Sequence, residues 1–193
     1  PITHLLYLHG FRSSPQSLKA RTMAQHMATL HPQAQWWCPP LPPSPREASE
    51  LLRQGIQDWP RASVVMVGSS LGGFYATAVA EQPGCRAVLL NPAVNPARGL
   101  AKCTGGQTSW YDPQERFFFR AGFVQELRGL AGTRLRQPDH YLALIAKGDE
   151  VLDWREAHAH YAGARIRLLE GGDHAISDFD AHLPEIMAFL GLN

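Results

Sequence analysis

Apolar residues along this chain fall in short unbroken runs, not in strict alternation with polar ones. Leu5-Leu6-Tyr7-Leu8 and Ser63-Val64-Val65-Met66-Val67 are the clearest. Ala34 to Cys38, Ala87 to Leu90, Tyr141 to Ala146 and Ile166 to Leu169 complete a set of six. Continuous apolar strands are those of a parallel sheet covered on both faces. Helical segments separate them. Ser14-Pro15 opens one that runs to about Leu30, with Leu18, Met23, Met27 and Leu30 on its apolar side. Ser44-Pro45 opens a second, to about Asp58, and Leu71 to Glu81 forms a third that Pro83-Gly84 ends. Asp153 to Tyr161 and Leu183 to Leu190 supply the last two. Strands alternating with helices imply right-handed crossovers. The expected fold is a three-layer α/β/α sandwich around a mostly or wholly parallel six-stranded sheet.

Two stretches break this rhythm. Pro39 to Pro45 holds five prolines and reads as a stiff loop after a strand, in preference to a ligand for a proline-binding module. Asn91 to Pro138 is far longer than one crossover needs, and it carries Trp110, Tyr111, Phe117, Phe118, Phe119 and Phe123. It is expected to form a small cap within a single domain spanning 1–193. Its aromatic residues either line an acyl pocket or form the cap's own core.

Composition narrows the function by exclusion. With 45% apolar and 18% charged residues and a formal net charge of +1, the chain has the make-up of a soluble globular protein. It has no basic run to attract nucleic acid or an anionic membrane. No apolar run is long enough to span a bilayer. Pro1-Ile2-Thr3-His4 leads directly into a strand-like segment, without a signal-peptide pattern. Cys38, Cys85 and Cys103 cannot all pair with one another and lack zinc or redox spacing. Three reduced thiols suit the cytoplasm.

Candidate chemistry enters at Gly68-Ser69-Ser70-Leu71-Gly72, a G-x-S-x-G pattern between a Val-rich strand and a helix. In that frame the central serine sits on a sharp, strained turn, and glycines two residues to either side avoid a collision. The helix N-terminus behind it favours the anion that forms on nucleophilic attack. A serine that merely caps the helix is the structural alternative.

A serine nucleophile needs a base, and the base an orienting acid. Of nine histidines, His174 stands in the Gly-rich loop after the last strand, where an imidazole can swing over the strand ends. The acid is expected after the preceding strand. Asp149 comes first after Gly148, with Asp153 as second choice; Glu150 is expected to face solvent and Asp153 to cap the next helix. The order Ser70, Asp149, His174 is that of α/β-hydrolases. Two backbone N–H groups are expected to form the oxyanion hole. Leu71 supplies one; Phe11, in His9-Gly10-Phe11 after the first strand, supplies the other. His9 reads as a loop-bracing residue. His158 and His160 point to different helix faces and cannot converge on one metal ion with His174. No G-x-G-x-x-G follows the first strand, so neither metal nor cofactor is expected.

Five blocks in order, Tyr7 to Pro15, Gly68 to Gly73, Asn91-Pro92-Ala93, Gly148 to Asp153 and Gly171 to His174, resemble the YqiA/YcfP-type small bacterial esterases of the α/β-hydrolase superfamily. The likeness spans nearly the whole chain; the cap matches loosely, from Thr108-Ser109-Trp110 to Glu115-Arg116-Phe117. The resemblance implies a compact hydrolase without the first two strands of larger relatives, acting without a cofactor on acyl substrates. It carries over Ser70, Asp149 and His174, with Phe11 and Leu71 as oxyanion donors. The reading is therefore a serine hydrolase that cleaves small esters or thioesters of short- to medium-chain acyl groups. A serine peptidase or amidase is the alternative within enzymes, and a hydrolase-like binding or scaffold protein without turnover the alternative outside them.

Overall fold

The computed structural model describes residues 1–108, 116–132 and 134–193. In chain order the elements are β1 (His4–Leu8), α1 (Leu18–Leu30), β2 (Gln35–Trp37), α2 (Pro45–Ile56), β3 (Val64–Ser69), α3 (Leu71–Ala80) and β4 (Arg86–Leu90). There follow α4 (Pro96–Leu100), β5 (Gly105–Thr108), β6 (Arg116–Phe119), α5 (Ala121–Leu130), β7 (Tyr141–Ala146), α6 (Trp154–His160), β8 (Arg165–Leu169) and α7 (Phe179–Leu190). Six strands form one sheet in the order β2-β1-β3-β4-β7-β8, every neighbouring pair parallel. β5 and β6 form a separate antiparallel ribbon.

Side-chain alternation divides the interior in two. Leu5, Tyr7, Val65, Val67, Val88, Leu90, Leu142 and Leu144 pack with Ala20, Met23 and Met27 of α1 and Ile186, Met187 and Leu190 of α7. Leu6, Leu8, Met66, Ala87, Leu89, Ala143 and Ile145 pack on the other face with α2, α3, α5 and α6. Both faces of each central strand are thus covered, which is why those strands read as unbroken apolar runs. The sheet edges differ from its centre: β2 has three residues, and β8 is only partly buried, with Arg165 and Arg167 exposed.

Several boundaries differ from the sequence reading. Ser17, not Ser14, caps α1 through its hydroxyl, and Leu18 and Leu30 are 61% and 59% exposed instead of facing the sheet. Ser14 is used in a local turn, its hydroxyl accepting from the Gln16 N–H. α7 begins at Phe179, four residues before the expected start. Pro184 stands inside this helix. Within 91–138 the described residues hold two helices and the β5–β6 ribbon. Val124 and Leu127 of α5 are buried against the main core.

Candidate active site

The strand order reverses direction once. The chain leaves β1 for β2 on one side and returns to build β3 on the other. Ligands of open α/β sheets bind outside the carboxyl ends of the strands at such a switch point. His9-Gly10-Phe11 follows β1 there, and Ser70 follows β3.

Steric necessity shapes the Ser70 turn. Ser70 has φ 57° and ψ −117°, a region costing a non-glycine residue on the order of 1–3 kcal/mol. A Cβ at Gly68 would stand 2.3 Å from the Gly72 carbonyl oxygen, and one at Gly72 only 2.0 Å from that of Leu8. The second glycine therefore makes room for β1, whereas the sequence reading had it clear the serine's own turn. Backbone bonds hold the strain: Ser70 N–H donates to Leu90 O at 2.9 Å, and Ala93 N–H to Ser70 O at 3.0 Å.

Ser70, His174 and Asp149 form one hydrogen-bonded line. His174 Nε2 lies 3.0 Å from Ser70 Oγ, and His174 Nδ1 lies 2.8 Å from Asp149 Oδ2. A carboxylate accepts only, so Nδ1 carries the proton and Nε2 faces the serine hydroxyl as acceptor. The Asp149 side chain is 2% exposed, and its Oδ1 accepts from Val151 N–H at 2.8 Å and Leu152 N–H at 2.9 Å. Asp153 instead caps α6 by accepting from Arg155 N–H. Asp173 accepts from the Ser177 N–H and hydroxyl, which hold its carboxyl below the usual carboxylate range.

Three further residues hold the loop that carries His174. Glu150, expected to face solvent, accepts from the His174 backbone N–H at 3.0 Å. Its neighbour Asp149 turns the loop so that both carboxylates converge on one histidine. Asn91 is buried, with φ 42°. Its Nδ2 donates to the carbonyls of Asp173 and His174, both at 3.0 Å, and its Oδ1 accepts from Ala146 N–H at 2.8 Å. Lys19 Nζ donates to Ala175 O at 2.6 Å. The signal for Asn91 was an Asn-Pro pair directly after a buried strand.

A model of the uncharacterised protein family UPF0227 matches residues 4–191. The chain belongs to UPF0227. A UPF0227 protein of Shewanella sediminis is 26% identical to it over 196 residues, covering 96% of this chain and 98% of the relative. Among solved structures, a putative hydrolase from Agrobacterium vitis superposes with a TM-score of 0.74 at 18% identity, over 98% of this chain and 88% of that one. A structure of the metagenome-derived lipolytic enzymes LipS and LipT gives 0.71 at 18% identity, over 99% and 94%. This UPF0227 member thus has the α/β-hydrolase fold.

Beside Ser70, the UPF0227 chain encloses a cavity of about 130 Å³ lined by the 9–14 loop, Pro40 to Pro43, Leu71, Tyr75 and Phe119. That loop runs against the serine turn: a Cβ at Gly10 would lie in ordinary contact, 3.4 Å from Ser70 Cβ. Leu71 is the first residue of α3, where helical N–H groups have no partner within the helix. Phe11 follows Gly10 and packs edge-on against Phe119. His9 is buried, and burial lowers its pKa. Its Nδ1–H donates to Gly10 O at 2.9 Å and its Nε2 accepts from Leu41 N–H at 3.0 Å. Only the neutral ring satisfies both.

Phe119 answers both sequence expectations for the aromatic stretch: it lines the cavity and packs on Phe123. Trp110, Tyr111 and the side chains of Phe117 and Phe118 lie outside the described residues. Among the described residues no group of histidine, cysteine and acidic side chains could hold a metal ion, and no helix is long and apolar enough to cross a membrane. His158 and His160 pack on Trp154 and Tyr161 respectively.

Proposed function

We propose that this protein is a serine hydrolase that cleaves small carboxylic esters or thioesters through an acyl-enzyme. The observation that carries the reading is the Ser70–His174–Asp149 line on a strained strand-to-helix turn. His174 Nε2 takes the Ser70 proton as Oγ attacks the carbonyl carbon. Asp149 keeps the imidazole in the tautomer that can accept it and stabilises the imidazolium. The N–H groups of Phe11 and Leu71 receive the oxyanion, each such donor contributing about 3 kcal/mol to a transition state of this kind. His174 then returns the proton to the departing alcohol or thiol. A water, deprotonated by the same nitrogen, releases the acid and restores Ser70. No cofactor takes part. The cap is a short insertion in a single domain, and the three unpaired thiols fit the cytoplasm as compartment.

Fluorophosphonate labelling and p-nitrophenyl ester hydrolysis test this, with wild type beside Ser70→Ala. Label and turnover are expected in the wild type alone. A matched ester and thioester with one acyl group then rank the leaving groups. Labelling no faster than in Ser70→Ala, with neither protein turning over, would make it a binding protein on a hydrolase fold.

A further inference from the structure

We infer that Phe119 is the residue that sets acyl-chain length, closing a pocket that accepts short acyl groups only. The inference rests on the acyl-enzyme reading above and adds what the site selects.

The cavity lies between the Gly10-Phe11 loop and Leu71, the two backbone segments that would hold the oxyanion. The leaving group must meet His174 Nε2 to be protonated, but His174 does not line the cavity. The cavity therefore receives the other half of the substrate, the acyl chain. Its lining is mostly apolar, with Phe11, Leu41, Leu71, Tyr75 and Phe119, and its polar part comes from His9 and Arg12 to Ser14. At about 130 Å³ it is less than half the smallest of the roughly 300–1,000 Å³ sites that hold drug-sized ligands.

Phe119 cannot easily swing aside. It is 1% exposed, with its ring edge-on between Phe11 (centroids 5.3 Å apart) and Phe123 (5.5 Å). The cap behind it is anchored. Glu126 of α5 accepts from the Ser44 hydroxyl at 2.6 Å and from Arg46 N–H at 2.9 Å, tying the cap helix to the start of α2. Opposite, Leu41 is held by His9 between prolines. Phe119 is thus a lining ring on a fixed support.

The test is kcat/KM for p-nitrophenyl acetate, butyrate and octanoate, in wild type, Phe119→Ala, Phe119→Leu and Phe123→Ala. Wild type is expected to lose activity by roughly tenfold or more from butyrate to octanoate. Phe119→Ala should raise the octanoate-to-butyrate ratio by roughly tenfold, and Phe119→Leu by a smaller factor. Phe123→Ala, which loosens the support without removing the wall, should move all three esters together. If Phe119→Ala does not fold by circular dichroism, the Phe119→Leu ratio decides. An octanoate-to-butyrate ratio unchanged in the folded Phe119 variants overturns the inference while Ser70-dependent turnover leaves the hydrolase reading standing. A wild type that turns over octanoate as fast as butyrate overturns it likewise. Absence of Ser70-dependent turnover on every ester removes both.

Discussion

The loop that carries Ser70 and the loop that carries His174 are built on opposite principles. The Ser70 turn is defined by its own neighbours: three glycines within six residues, a strand directly before and a helix directly after. Two of those glycines also answer to other segments, Gly72 making room for the Leu8 carbonyl and Gly73 for Pro92. The 170–178 loop has no such local imperative. It is held in place by Asn91, Asp149, Glu150 and Lys19, groups from three other places in the chain. Its close approach to the Asp149 loop needs a glycine on the other side: a Cβ at Gly148 would stand 2.1 Å from the Gly172 carbonyl oxygen. The first loop is recognisable from its own sequence, whereas the second is defined by tethers from afar.

The sharpest break falls on the tether at Asp149. Asp149→Asn is expected to lower kcat by about 10³–10⁴-fold, because the amide no longer fixes the tautomer with Nε2 free to accept. Asp153→Asn should leave kcat within a few-fold, since asparagine still caps α6. Parallel ester kinetics on both variants decide which carboxylate orients the base. On the local side, Gly72→Ala drives a methyl into the Leu8 carbonyl, backbone against backbone. We expect a loss of about 3 kcal/mol or more in urea unfolding, with activity lost even in the protein that still folds.

Asn91→Ala strikes the tether without touching the serine turn. It leaves a buried N–H and two carbonyls without their partner, costing about 2–3 kcal/mol by denaturation. Activity should fall more than fluorophosphonate labelling at saturating probe, because the histidine, not the serine, is displaced.

The smallest effect belongs to His9. Burial depresses its pKa, so the neutral ring is the folded form. The unfolded chain binds a proton near the ordinary imidazole value of about 6.5. The stabilisation is therefore complete above that value and is lost as pH falls from it towards the lower folded value. Wild-type Tm should drop between pH 7 and pH 5 more steeply than that of His9→Gln, which starts lower but does not titrate.

The same contrast explains what could be read from the sequence. The six strands were legible because each central one is buried on both faces and must be apolar throughout. Ser70 was legible from a local motif, and Asp149 and His174 from their positions after successive strands. The hydrogen bonds of Asn91 and Glu150 were not, because their partners lie 24 to 83 residues away; the Asn-Pro pair after a buried strand marks the position of Asn91 but not what it bonds. Leu18 and Leu30 were misread for a related reason. Helical periodicity defines a face, but not how far along the helix the sheet extends beneath it.

The two outermost strands of the sheet bear on how copies of this protein behave when crowded. An open sheet invites a strand from another molecule to add to its edge, the first step of ordered aggregation. One margin is only three residues long, too short to template such growth. The other carries Arg165 and Arg167, and Glu185 of the last helix pairs with Arg167 across it. Any incoming strand would have to meet those charges. Colloidal restraint is thereby written into the rim of the sheet, far from the serine.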